Sequence, residues 1–243
     1  MSDPRWLARQ RGYRLSQAML LAIETSDRLC AACLVDEATG VIAASKTLDI
    51  GRSHAERMTG LIGELLSEVN AGFPDLTGLA VCVGPGSFTG IRVGLATAIG
   101  LSIALGLSVR GVTSLQALAV AALNEADGRN ILALVDAHRG DVYAQMFSSA
   151  ALPLDAPRQI SLEDVGELAR AENVAIAGSG VPVLRSANAD LVLPVIDGVD
   201  LPDVNCIAQA ALMPAMTVDA RPLYLRRPDA KPQEAYTIAR ALR

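Results

Sequence analysis

Residues 83–105 read VGPGSFTGIRVGLATAIGLSIAL: an apolar strand end, a glycine-rich turn, and a helix with one face almost free of side chains. Glycine lets a backbone turn sharply or approach another group closely, so Gly84, Gly86 and Gly90 mark a structural turn that serves either an anion or tight packing. The turn is not a Walker loop, which places Lys and then Ser or Thr after its last glycine, whereas Ile91 and Arg92 follow Gly90. Nor is it a dinucleotide fingerprint, because Thr89 holds the sixth position from Gly84, where glycine is needed. Two uses stay open. Backbone N–H groups with the Ser87 and Thr89 hydroxyls at a helix start can receive an anion, or Ser87 caps the helix while the glycines permit close contact. Behind the turn, Gly90, Gly94 and Ala98 recur every four residues, which lets another helix approach closely.

Upstream, MLLAIETS, LCAACLVD and VIAASKTL are apolar or alternating runs separated by short polar breaks, a meander of three strands, the first closed by Glu24. Ser53 precedes a run in which Ala55, Met58, Leu61, Ile62, Leu65, Leu66 and Val69 keep helical spacing, and Glu56 three residues on predicts a capping box. GLAVCVG is the fourth strand, followed by the turn and its helix. After VRGV and the helix SLQALAVAALNEA the order restarts with ILALVDA, VYAQMFS, a weak strand near Ile160, the helix LEDVGELARA, the strand VAIAG and a short helix at 181–188. Each half opens on an apolar strand ending in an acid, Glu24 and Asp136. Two related βββαβα domains facing each other across a cleft are the plan of the actin-like ATPase fold, an α/β class also called ASKHA or ribonuclease H-like, with those acids pointing into the cleft.

The chain has 243 residues, 51% hydrophobic and 19% charged, enough for sizeable cores and unlike a disordered composition. No uninterrupted apolar run approaches the ~18 residues of a membrane span, and residues 1–18 carry four arginines without an apolar centre, so they do not read as a secretory signal. The cytoplasm is the expectation. Cys30, Cys33, Cys82 and Cys206 all have apolar neighbours and read as reduced core residues; a zinc site would want a second pair beside Cys30 and Cys33. The net charge of −5 divides into +3 for residues 1–18, +4 for residues 220–243 and −12 for the body between them. An acidic body does not make a broad phosphate-binding surface, so only the tails are placed to touch RNA.

Hydrolytic chemistry has little support. The histidines, His54 and His138, lie in no HExxH, and no serine sits in GxSxG. Phosphoryl transfer would use Glu24 and Asp136 as metal-binding acids. The turn Glu24-Thr25-Ser26-Asp27 lacks the glycine that admits a phosphate, and His138 and Arg139 crowd Asp136 before Gly140. Glu24, Thr25, Ser26, Ser87, Thr89, Asp136 and Arg139 are thus the candidate anion or nucleotide contacts, with an Asp136–Arg139 ion pair as the plain alternative.

The segments AIETS, RSHAER, VGPGSFTGIRVGLATAIGL, GVTSLQALA, VDAHRGDVYAQMF and PLYLRR together resemble the TsaB (YeaZ) family, over residues 19–227. GPGSFTGIRVG is the most specific of them. The resemblance implies an actin-like fold with a degenerate site, and a role as partner of the catalytic paralogue TsaD, with the ATPase TsaE, in forming threonylcarbamoyladenosine at position 37 of tRNA. In TsaD a metal-binding HxxxH follows the strand equivalent to VRGV. Ser114 and Leu118 stand at the two histidine positions here and cannot ligate a metal. The chain is therefore expected to be non-catalytic, with no cofactor or metal of its own and with ATP and metal on the partner subunits. An active small-molecule kinase or ATPase of the same fold is the alternative, and a peptidase a more distant one.

The resemblance also implies a partner surface made by the two helices 55–69 and 89–105, used for TsaD and, when the chain is alone, for a homodimer. Met58, Leu61, Ile62, Leu65, Arg92, Gly94, Leu95 and Ala98 are its expected residues, and tRNA is expected to bind only weakly outside the complex. The expected domains are 19–108 and 109–217, after a flexible N-terminal extension at 1–18. Residues 218–243 either return to the first domain or form a tail.

Overall fold

The computed structural model describes residues 18–51, 53–138, 140–171, 174–187 and 194–226. The expected extension lies outside these residues apart from Ala18, as do Arg139 and residues 227–243.

Strand β1 (Met19–Glu24) is apolar throughout and is paired on both sides: antiparallel to β2 (Leu29–Asp36), which pairs with β3 (Ile42–Asp49), and parallel to β4 (Leu76–Cys82). Strand β5 (Val109–Val112) completes a sheet of order β3-β2-β1-β4-β5. Helices α1 (His54–Glu68) and α2 (Phe88–Leu105) make the β3–β4 and β4–β5 connections. The second half repeats the arrangement with β6 (Asn130–Asp136), β7 (Asp141–Phe147), β8 (Arg158–Ser161) and β9 (Val174–Ala177) in the order β8-β7-β6-β9, joined by α4 (Leu162–Ala171) and followed by α5 (Gly180–Ala187). Val195 adds a single parallel bridge beside β9 where the first sheet has β5.

Period-two alternation assigns the faces. Met19, Leu21 and Ile23 face α1 and α2, while Leu20 and Ala22 face a middle layer shared by the two halves. That layer holds α3 (Ser114–Ala122), which packs on β6 and the second sheet, and α6 (Val204–Ala211), which packs on β1 and the first. Leu132 and Leu134 face outward onto α4 and α5. The result is the actin-like α/β plan, with each half covered from within by a helix that follows the other half's strands.

Two local expectations are corrected. The domain boundary at 108/109 would cut β5 from its sheet, since Val109–Val112 pair with β4. No capping box opens α1: Ser53 is left-handed at φ 68°, and its side chain caps nothing. The box forms instead at α3, where Thr113 Oγ1 accepts from the Gln116 N–H at 3.0 Å and Gln116 Oε1 accepts from the Thr113 N–H at 2.7 Å. Residues 218–226 run back along the first half, with Val218 bridging Gly111 and the Leu223 N–H donating to the Val83 carbonyl at 2.9 Å.

Candidate functional site

The glycine turn is filled by the chain itself. Thr25 and Ser26 follow β1, and their carbonyl oxygens lie where a Cβ on Gly90 and on Gly86 would have to be. The Ser87 N–H donates to the Ser26 carbonyl at 2.6 Å, and the Thr25 hydroxyl donates to the Gly90 carbonyl at 2.8 Å. From the other side, Ser114 donates through its N–H to the Gly84 carbonyl at 2.9 Å and through its hydroxyl to the Pro85 carbonyl at 2.6 Å. Gly84 has φ 93°, and a Cβ there would meet Ile91 Cδ1 at 2.6 Å. Ser87 caps α2, its Oγ accepting from the Gly90 N–H at 3.2 Å. At Gly86 and Gly90 the missing side chains serve close backbone packing, because the Ser26 and Thr25 carbonyl oxygens hold the places of their Cβ atoms.

The candidate anion contacts lie at the ends of β1 and β6 and at the start of α2. Glu24, Thr25 and Ser26 are all buried. Glu24 Oε1 accepts from the Ser26 N–H at 2.5 Å and its hydroxyl at 2.6 Å, while Oε2 is buried without a partner. Burial pushes the Glu24 carboxyl up to about 7, against hydrogen bonds from Cys82 and Ser26 that pull it down. Ser87 and Thr89 are exposed at the helix start. Asp136 repeats the Glu24 turn, with Oδ1 accepting from the His138 N–H at 2.7 Å and Oδ2 lying 3.1 Å from His138 Nδ1. Arg139, its proposed ion partner, lies outside the described residues. The His138 side chain is 83% exposed. Burial also raises all four thiols, Cys206 to about 12, which leaves them poor nucleophiles. Leu118 is in the core, and the Ser114 hydroxyl is committed to Pro85.

Of the expected partner residues, all but Arg92 are buried within the chain. Met58, Leu61, Ile62, Leu65, Leu95 and Ala98 are buried between the helices and the first sheet. Gly94 is buried too, and a Cβ there would meet Thr25 Oγ1 at 2.5 Å. An apolar stripe at helical spacing was bound to face its own sheet. Among the described residues the opposite face of α2 is the more exposed one: Phe88, Ile99 and Ile103 are 48%, 43% and 80% exposed. Arg92 joins them, its guanidinium 3.6 Å over the Phe88 ring and its Nε donating to the Tyr224 hydroxyl at 3.1 Å. The Phe88 and Tyr224 rings are 5.3 Å apart. On this side nothing lies within 4 Å of a Cβ on Gly60, Gly63 or Gly100. The mean hydropathy of α2 is 1.6 over 18 residues, which by length and composition alone is enough to cross a membrane, although its inner face is packed on the sheet.

Comparison with known proteins adds the following. Residues 47–185 match the family model described as TsaD, tRNA N6-adenosine threonylcarbamoyltransferase. The chain is 31% identical over 221 residues to an uncharacterized protein of Mycobacterium tuberculosis, covering 90% of this chain and 97% of that one. It is 33% identical over 124 residues to the tRNA threonylcarbamoyladenosine biosynthesis protein TsaB of Escherichia coli, a match that spans 51% of this chain and 52% of the relative. YeaZ from Pseudomonas aeruginosa superposes with a TM-score of 0.73 at 26% identity, over 86% of this chain and 100% of that one.

Proposed function

The chain belongs to the TsaD/TsaB (YeaZ) family, and from that premise we propose that it is a non-catalytic cytoplasmic subunit in threonylcarbamoyladenosine formation on tRNA, a partner and scaffold for TsaD acting with TsaE. The observation that carries this reading is the pairing of a closed glycine turn with an open helix face. The Thr25–Ser26 backbone packs against the glycines of the turn, while Ile103 of α2 is 80% exposed. An apolar face of this kind, lined with small residues that let helices approach, suits a helical partner.

ATP and metal then belong to the partner subunits, and a second copy of this chain competes for the same face when TsaD is absent. Weak contact with tRNA outside the complex fits the charges. Arg221 is paired with Asp219 at the surface, and Arg226 is engaged by Ala137, His138 and Asp141.

Calorimetric titration of the pure chain with TsaD, with and without ATP, tests the proposal, alongside nucleotide turnover by the chain alone. Binding without turnover supports it. Turnover that falls in Glu24→Ala and Asp136→Ala would establish the kinase or ATPase alternative instead.

A further inference from the structure

Residues 218–226 cross from the first half to the second, and they are held differently at each end. At Val218 the hold is backbone on both sides: the Gly111 N–H donates to the Val218 carbonyl at 2.9 Å and the Val218 N–H to the Gly111 carbonyl at 2.8 Å. A Cβ on Gly111 would lie 2.6 Å from the Asp219 carbonyl oxygen, so the segment rests directly on the edge of β5. At Arg226 the hold is a side chain. Its Nη1 donates to the Ala137 carbonyl at 2.9 Å, and its Nη2 to the His138 carbonyl at 3.4 Å and to Asp141 Oδ2 at 3.3 Å, all at the β6–β7 turn. Between these points, among the described residues, the backbone makes a single hydrogen bond to the rest of the fold, from the Leu223 N–H to the Val83 carbonyl at 2.9 Å. Val218, Pro222 and Leu223 line a cleft of about 290 Å³ together with Val83 of the first half and Gln145 and Pro157 of the second. Tyr224 brings its ring to 5.3 Å from Phe88 and accepts from Arg92 Nε at 3.1 Å, so the same segment completes the outward face of α2.

We propose that residues 219–226 form a hinged strap, pivoting at the Val218–Gly111 bridge and latched by Arg226, that closes the cleft between the two halves and sets Tyr224 against α2. The hinge is the firm end, because paired backbone bonds lie over a position where only glycine fits. The latch is the weak end. The Arg226 and Asp141 side chains are 24% and 35% exposed, and an ion pair in contact with water holds little. Segments with few backbone bonds to their surroundings open locally while the rest of the fold stays intact, and they turn about the residues where they leave a regular element. Release of Arg226 leaves only the Leu223 bond between hinge and latch. When that bond breaks, the cleft opens and Tyr224 leaves Phe88 and Arg92 in the same movement. A turn of the second half thereby governs the composition of a helix face in the first.

Hydrogen exchange of the full chain, read amide by amide by NMR, tests the strap. In Arg226→Gln the Leu223 amide should exchange about tenfold faster, while the Gly111 and Val218 amides of the hinge keep their rates. Asp141→Asn removes the charge facing Arg226 and should move the Leu223 amide the same way, and it decides if Arg226→Gln does not fold. Chymotrypsin should cut after Tyr224 faster in both variants. Unchanged Leu223 exchange, or equal acceleration at the hinge amides, overturns the proposal. The consequence for docking rests on the reading of α2 as the partner face: Arg226→Gln should weaken TsaD binding about threefold although Arg226 lies on neither α1 nor α2. Full TsaD affinity in a variant whose Leu223 amide has loosened would remove the strap from docking. Absence of TsaD binding by the unaltered chain would instead overturn the partner reading, while the exchange rates, measured without TsaD, still decide the strap.

Discussion

The Thr25 hydroxyl donates to the Gly90 carbonyl at 2.8 Å, and the Thr25 carbonyl oxygen occupies the place of the missing Gly90 side chain. The turn after β1 and the start of α2 are therefore one backbone contact. The helix cannot keep its position if that contact is pried apart. Gly90→Ala should cost about 2–4 kcal/mol, because the obstacle is backbone rather than a movable side chain. Urea denaturation measures it, and a loss under ~0.5 kcal/mol would show that the turn yields.

Much of this fold is legible in the residues. Alternation and helical spacing place nearly every strand and helix, and the acids closing β1 and β6 reveal the duplication. Helix α6 escapes the reading although Asp203 precedes Val204, Ile207, Ala208 and Ala211 at helical spacing, because eight residues between irregular segments give a weak signal. The site is less legible for a physical reason. GPGSFTG has the glycines a phosphate turn needs, and only the position of Thr25 and Ser26, some sixty residues earlier, decides that backbone fills the space. Spacing likewise defines the stripe from Met58 to Leu65 without saying that the sheet, rather than a partner, covers it.

Glu24 makes folding stability depend on pH. Its carboxyl is raised from 4.5 to about 7 by burial, so the folded chain holds a proton that the unfolded chain releases. The contribution is fully present below about 4.5 and is lost as pH rises through about 7. At ~1.4 kcal/mol per pH unit the Glu24 contribution to this loss is about 3 kcal/mol. Denaturation midpoints at pH 5 and pH 8 should differ in that direction, and Glu24→Gln, which stays uncharged, should remove this part of the difference. An unchanged pH dependence in the variant would show that Glu24 does not cause it.

Gly63 of α1 and Gly100 of α2 face open space, and mid-helix glycine is less favourable than alanine by about 0.5–1 kcal/mol. Gly63→Ala and Gly100→Ala should each stabilise the isolated chain by about that amount in urea titrations. If a partner helix packs closely on this face, the same methyl groups should weaken its binding, so stability and affinity move in opposite directions. Affinity for TsaD that is unaffected would place the contact elsewhere.

Ile103 and Ala98 lie on the same helix with opposite exposure, 80% against 0%. A carboxylate at position 103 is hydrated, so Ile103→Asp should change stability by no more than about 0.5 kcal/mol. Placed in the proposed docking face, it would be desolvated on binding, and affinity for TsaD should fall at least tenfold in a calorimetric titration. Ala98→Asp puts the same group between α2 and the first sheet and should unfold the chain or lower its melting temperature sharply, as circular dichroism would record. The pair separates a docking face from a core face on a single helix. Full TsaD affinity in a folded Ile103→Asp chain would remove α2 from the interface.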